Sequence, residues 1–345
     1  MQAPHLRPTN IKLRRHSQGV ALITILLIVV IATVLGVTMT NEQHFAISRA
    51  QTFFDQTVVR QYALGGEELA RQILHKDFVD APETDHLGEA WAANNMRFEF
   101  EEGEIELKIE DLQGRINVNT LLQQGEGARV AKGRLTALFS EQGLDPVFVD
   151  RIQDWIDENN GASGFGAEDF DYLGLDRPYR TANQPMLDTS EVRLILDMEH
   201  DLYQQILPSI SALPDINSEI NVNTALPQVL ITAAPGLSLG AAEGIAADRD
   251  GGLPFDTVED FFANQNQNET SANNDLTGLS VQSSFFQVSV RARYQDRFGY
   301  LTSVIQRDPT DGTIRVIYRD HSQKILPFIS EEADAVNSQG AALDG

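Results

Sequence analysis

Gly19-Val20-Ala21-Leu22-Ile23-Thr24-Ile25-Leu26-Leu27-Ile28-Val29-Val30-Ile31-Ala32-Thr33-Val34-Leu35-Gly36-Val37-Thr38-Met39-Thr40 carries no charged side chain, and from Val20 onward it is apolar apart from Gly36 and four threonines. As a helix rising ~1.5 Å per residue, this stretch is long enough for a hydrocarbon core of ~30 Å. Arg7, Lys12, Arg14 and Arg15 precede it, and the first acid is Glu42. The positive-inside bias therefore places the N-terminal end in the cytoplasm and the body beyond the membrane, in the periplasm of a two-membrane bacterium. A secretory signal would carry a small-x-small cleavage site after the apolar run; here the small residue, Gly19, comes before it.

Beyond Thr40 the helical spacing continues through Phe45, Phe53, Val58, Tyr62, Leu69 and Leu74 until Pro82 stops it, predicting one helix of about 55 residues with a soft point at Gly65-Gly66. Arg97 to Glu101 and Glu104 to Glu110 alternate apolar with charged residues around Gly103, the pattern of a hairpin. Strand composition returns in Phe285 to Tyr294, Tyr300 to Gln306 and Thr313 to Tyr318, with turns expected at Gly299 and Asp311-Gly312. Helical periodicity dominates the stretch between. The fold expected is α+β: a long N-terminal transmembrane helix packs on an antiparallel sheet interrupted by a large, mostly α-helical insertion.

The chain has 26 Lys and Arg against 50 Asp and Glu, a net charge of −24, and no cysteine. That acidity opposes binding to phosphate backbones and favours protein or cation partners. Without cysteine there is no disulfide, thiolate nucleophile or Cys-based zinc site. None of the seven histidines forms an H-E-x-x-H pair, and there is no phosphate loop or serine elbow. The chain is expected not to be an enzyme.

The order of basic leader, Gly19 and apolar helix resembles the class III leader cut by prepilin peptidase, which implies cleavage between Gly19 and Val20 and N-methylation of Val20. Further on, Asp111-Leu112-Gln113-Gly114-Arg115-Ile116-Asn117-Val118-Asn119-Thr120, Asp154-Trp155-Ile156-Asp157, Gly166-Ala167-Glu168-Asp169 and Ser190-Glu191-Val192-Arg193 resemble the K-type minor pseudopilins of type II secretion systems, to about Asp320. The resemblance implies a pilin-like fold and a non-enzymatic tip subunit of the periplasmic pseudopilus that drives export of folded proteins. Its implied partners are I- and J-type minor pseudopilins, the major pseudopilin, prepilin peptidase and the inner membrane, with secreted cargo or the outer-membrane channel beyond. Most pilin-like subunits carry Glu at the fifth mature position, where it neutralises the terminal amine of the subunit ahead. Thr24 stands there, which suggests a subunit with none ahead. The expected divisions are a leader at 1–19, the helix at 20–80, a β domain at 81–119 and 281–329 split by an insertion at 120–280, and a flexible tail at 330–345.

Between Asp154 and Asp176 seven carboxylates alternate with four glycines, a composition able to wrap a hard cation although it is no EF-hand loop. The K-type resemblance implies structural Ca²⁺ in this domain, with Asp157, Glu168, Asp169 and Asp171 as the candidate ligands. Ile116-Asn117-Val118-Asn119-Thr120 recurs as Ile220-Asn221-Val222-Asn223-Thr224, each copy expected to open a helix with Thr as N-cap. The second copy leads into a segment resembling helix-hairpin-helix, or SAM-like, units, many of which bind DNA. Its Gly236-Leu237-Ser238 hairpin lacks the second glycine, and Arg249 is the sole cation between Arg193 and Arg291, so nucleic acid is not the expected ligand. The competing reading is a signal-anchored periplasmic adaptor that never enters a filament.

Overall fold

The computed structural model describes residues 17–94, 96–234, 236–265 and 276–322. The four basic leader residues and the expected tail at 330–345 lie outside the described residues, as do residues 323–329. Helix α1, Ser17–Asp80, is continuous over 64 residues. The chain divides into two compact units, residues 1–58 and 59–345. In the first, every residue from 20 to 51 is exposed, and the part from 20 to 40 is apolar on all sides. It belongs to the one described helix long and apolar enough to cross a membrane.

In the second unit α1 becomes one-faced. Val59, Ala63, Glu67, Ala70 and Leu74 are buried at the three- and four-residue spacing of a single helix face. This face meets a five-stranded antiparallel sheet. Its strands are β1 (Met96–Phe100), β2 (Gly103–Asp111), β7 (Phe285–Tyr294), β8 (Arg297–Arg307) and β9 (Ile314–Asp320), in that spatial order. The short strands β3 (Ile116–Asn117), β4 (Ile210–Ser211), β5 (Ile220–Asn221) and β6 (Leu279–Ser280) belong to the insertion. Small residues let helix and sheet approach closely: a Cβ on Gly66 would lie 2.6 Å from Val290 Cγ1 and 3.0 Å from Ile105 Cγ2. Gly65-Gly66 is thus part of an unbroken helix, and at Gly66 the missing side chain is a packing requirement. Glu67, buried in the same face, accepts hydrogen bonds from Ser303 Oγ (2.5 Å) and Arg319 Nε (2.7 Å), tying α1 to β8 and β9.

The hairpin around Gly103 and the strand at Phe285 to Tyr294 form where the alternation placed them. The Asp311-Gly312 turn is also present, with Gly312 at φ 68°. Gly299 is a correction: it lies within β8 opposite Ala292, where a Cβ would come 3.1 Å from Val59 Cγ1. The turn falls instead at Gln295 and Asp296, with Gln295 in the left-handed region at φ 50°. A two-residue hairpin needs positive φ, and here a non-glycine residue supplies it.

The insertion runs between β2 and β7. It contains α2 (Gly125–Glu141), α3 (Val147–Ile156), α4 (Asp169–Leu173), α5 (His200–Ile206), α6 (Pro227–Ala233), α7 (Leu239–Asp250) and α8 (Val258–Gln265). One apolar cluster including Leu138, Phe139, Ile152, Trp155, Ile206, Leu230 and Phe261 holds them together. The sequence repeat is also a structural repeat. β3 (Ile116–Asn117) pairs in parallel with β4 (Ile210–Ser211), and β5 (Ile220–Asn221) with β6 (Leu279–Ser280). Both asparagines of each copy are buried. Asn117 and Asn221 each accept from the backbone N–H two residues on (3.1 and 2.8 Å). Asn119 pairs with both backbone groups of Met186 (2.8 and 2.9 Å), and Asn223 does the same with Phe255 (2.8 and 2.9 Å). The first asparagine, and not the threonine expected, therefore closes the turn, because its carbonyl reaches the orphan N–H while its amide still has a donor to spend elsewhere.

Gly66→Val should destabilise the second unit by about 2 kcal/mol or more in urea unfolding, since the added methyls meet Val290 and Ile105. Gly133→Ala, at a helix position with nothing within 4 Å, should instead stabilise by up to about 1 kcal/mol.

Candidate functional site

Three places carry unusual chemistry. The first is the start of α1. Gly19 and Val20 both lie in the helix, with Val20 exposed. Thr24 Oγ1 donates to its own helix, 3.0 Å from Val20 O and 2.9 Å from Ala21 O. A threonine hydroxyl satisfied this way leaves no charge for a neighbour.

The second is the junction where the insertion leaves and rejoins the sheet. Asp111, the last residue of β2, accepts from Gln113 N at Oδ1 (2.7 Å) and from Ser283 Oγ (2.6 Å) and Thr224 Oγ1 (2.5 Å) at Oδ2. Burial, opposed by these bonds but reinforced by the charge of Asp85, pushes its carboxyl up to about 6. Beside it, Asp77, Asp85 and Glu89 bring carboxylate oxygens within 4.8 Å of one another, the one such trio among the described residues. Arg307 already supplies the cation. It pairs with Asp85 and with Asp77 (3.1 Å), donates to Ser283 O (3.0 Å), and its guanidinium sits 4.9 Å from the Phe286 ring centroid. This trio is an ion-pair knot, with the positive charge built in.

The third is the acidic loop. Asp154, on α3, is fully buried, and Ser163 N donates to its two oxygens at 3.1 Å. Burial first, then the charges of Asp157 and Asp150, pushes it up to about 6. The glycines here are spacing devices: a Cβ on Gly166 would lie 1.8 Å from Asp154 Oδ2, and one on Gly164, at φ 61°, 2.5 Å from Asp150 Oδ2. Glu168, the N-cap of α4, is 5% exposed; only backbone N–H groups of the first turn of α4 approach its carboxylate, and no hydrogen bond of good geometry reaches either oxygen. Burial raises its pKa, with the facing charges of Asp154 and Asp157 adding to the effect. A buried carboxylate in the field of two others favours a proton or a cation.

Of the four residues singled out from sequence, Glu168 and Asp157 therefore face one another's field. Asp157 also accepts from Asn159 N (3.1 Å). Asp169 is turned to Arg180 Nη1 (2.7 Å) and Thr181 Oγ1 (3.0 Å), and Asp171 caps α4 by accepting from Glu168 N (3.0 Å). Sequence reasoning passed over Asp154 because it stands beside Trp155 and Ile156 in an apolar helix. The signal that could have found it is the glycine pair that fits against α3.

An apolar helix of spanning length that continues as the docked helix of an antiparallel sheet defines a pilin-type subunit. Two family models described as type II secretion system (T2SS), protein K, match residues 114–215 and 220–282. The type II secretion system protein K of Pseudomonas aeruginosa is 37% identical over 337 residues, covering 93% of this chain and 98% of that one. Its counterpart in Klebsiella pneumoniae is 34% identical over 223 residues, 62% of this chain and 68% of that one. The crystal structure of the GspK-GspI-GspJ complex from enterotoxigenic Escherichia coli contains a chain with the same fold, at TM-score 0.65 and 24% identity over 80% of this chain and 99% of that one. The chain belongs to the type II secretion system protein K family. It is accordingly a minor pseudopilin, a structural component of type II secretion.

Asp111 sets a pH dependence. Its folded value of about 6 lies above the 3.8 of an unperturbed aspartate, so the native state holds a proton that the unfolded chain releases. The stability this proton confers is full below pH ~4 and is lost as pH rises through ~6. Asp111→Asn should gain on the wild type by up to about 3 kcal/mol between pH 4 and pH 8. Urea unfolding of both proteins across that range measures the difference, and parallel curves would refute it.

Proposed function

We propose that this minor pseudopilin is the tip subunit of a periplasmic pseudopilus. The chain is cut between Gly19 and Val20, N-methylated on Val20, and anchored in the inner membrane by residues 20–40 with its body in the periplasm. Thr24 carries the reading. Its hydroxyl is closed on the Val20 and Ala21 carbonyls, so the helix start offers no carboxylate to an amine ahead of it and suits the last position of a filament. The insertion agrees, as an extra domain hung on the sheet would obstruct a further subunit. The E. coli neighbour is a complex of GspK, GspI and GspJ, and equivalent I- and J-type subunits are the partners we assign here, with the major pseudopilin behind them. Cargo or the outer-membrane channel would be met by the acidic insertion. The role is assembly, not catalysis.

The residues of the acidic loop fit structural Ca²⁺. They are hard oxygen donors, and the buried carboxylate of Glu168 lies in the field of Asp154 and Asp157. Glu168, Asp157 and Asp154, whose oxygens do not all lie within 4.8 Å of one another here, would close around the ion, and it would neutralise charge that otherwise repels. Asp169 and Asp171 would brace the loop. The α6–α7 pair, joined through Gly236 at φ 89°, supports descent from a helix-hairpin-helix unit. A DNA role is opposed by Arg249, which is buried and donates to Val222 O (2.9 Å) and Ala225 O (2.8 Å).

Two measurements test this reading. Intact mass and N-terminal sequencing of membrane-derived protein should give a chain beginning at methylated Val20 only when prepilin peptidase is active; a chain beginning at Met1 would favour the signal-anchored adaptor. Millimolar Ca²⁺, but not Mg²⁺, should raise the melting temperature of the full chain in detergent by several degrees. Glu168→Gln and Asp154→Asn should each weaken calorimetric Ca²⁺ affinity by about tenfold or more.

A further inference from the structure

The acidic loop also displays two aromatic rings that its own fold does not use. Phe165 is 81% and Phe170 is 88% exposed, whereas other aromatic side chains of the insertion, Phe139, Phe261 and Tyr172, are fully buried. The backbone that carries the two rings is anchored. Phe165 N donates to Asp150 Oδ2 (3.0 Å), and Phe170 stands on α4 next to Asp169, whose carboxylate is fixed by Arg180 and Thr181. Leu173, also exposed, lies one helical turn from Phe170 and extends the same face. A phenylalanine left in water on an anchored backbone forgoes the free energy that burial would return, and two of them on one loop mark an interaction surface.

We infer that Phe165 and Phe170 are anchors for a protein partner that offers an apolar cleft rimmed by Lys and Arg. The charge around the rings selects the occupant. From Gln153 to Arg180 the chain has seven carboxylates against two arginines, and one of these, Arg180, is paired with Asp169. Even with one divalent ion in the loop, a cationic rim is the matching surface. An anionic membrane is repelled by this loop. A second copy would set the same acidic face against itself in a chain of net charge −24.

The docking surface goes beyond the tip assignment and does not depend on it, except where secretion is the readout. The decisive variant is Phe165→Ser/Phe170→Ser in the full chain. With both rings exposed, its melting temperature and Ca²⁺ response should match the wild type. The probe is a labelled helical peptide carrying two leucines flanked by four lysines, with a glutamate-flanked version as control. The wild type should bind the lysine peptide about tenfold or more tighter than the double variant does, and tighter than it binds the control. Glu158→Gln/Asp176→Asn, at two exposed acids, should reduce both this affinity and its salt dependence. Exoprotein export should fall in cells carrying the phenylalanine variant. Equal peptide binding by wild type and double variant would overturn the inference. So would phenylalanine-dependent binding to phosphatidylglycerol vesicles, or phenylalanine-dependent dimerisation, in place of peptide binding. If deletion of the whole chain left export intact, the tip assignment would fall while the peptide result still decided the docking surface.

Discussion

The pairing of β2 with β7 is the constraint on which the second unit depends. Nine consecutive residues of β2, from Gly103 to Asp111, face Tyr294 to Phe286 in antiparallel register, and the whole insertion lies between the two strands in the chain. Bringing such distant segments together costs loop-closure entropy, but that cost grows only slowly with length. What must be specific is the point of closure. There, Leu112 N donates to Phe285 O (3.0 Å), Gln113 Oε1 accepts from Ser284 N (2.6 Å), and Asp111 gathers Ser283 and Thr224. One carboxylate thus joins the end of a sheet strand, the second asparagine repeat and the approach to the returning strand. Arg307 adds the end of α1 through Leu74 O and Asp77.

Much of this was legible in the sequence because it follows from periodicity. The two-residue alternation in Arg97 to Glu110 and in Phe285 to Tyr294 reflects a sheet covered on one face by α1. The uncharged run before Thr40 reads as one continuous helix of spanning length, as observed. What could not be read depends on approach distances. Gly66 and Gly299 look like breakers in one dimension, yet each is a place where helix and sheet come within van der Waals contact. Gln295 turns the chain without a glycine to announce it. The repeat was visible, but its meaning lay in partners such as Met186 and Phe255, far away in sequence.

The acidic loop was visible as composition and obscure as geometry. Seven carboxylates in a glycine-rich stretch say that charge must be managed; they do not say which groups pair with arginine, which cap a helix and which remain. Asp169 and Asp171 have local work, while Glu168 is buried without a hydrogen bond of good geometry. Asp154 joins it because α3 turns that residue inward beside Trp155, an orientation fixed by packing of the insertion core. The electrostatic tension and the exposed phenylalanines lie on one segment, so any ion that relieves the first also sets how firmly the second is held.

The hydrogen bond between Leu112 and Phe285 makes the departure and return of the insertion adjacent to within 3.0 Å. In topological terms the insertion is therefore an enlarged β-hairpin connection, and a short turn could in principle join the same two strands. A module attached in this manner can be exchanged, lengthened or lost by recombination without altering strand order. Variation in what the subunit presents to its surroundings is thereby uncoupled from the part that must fit its neighbours.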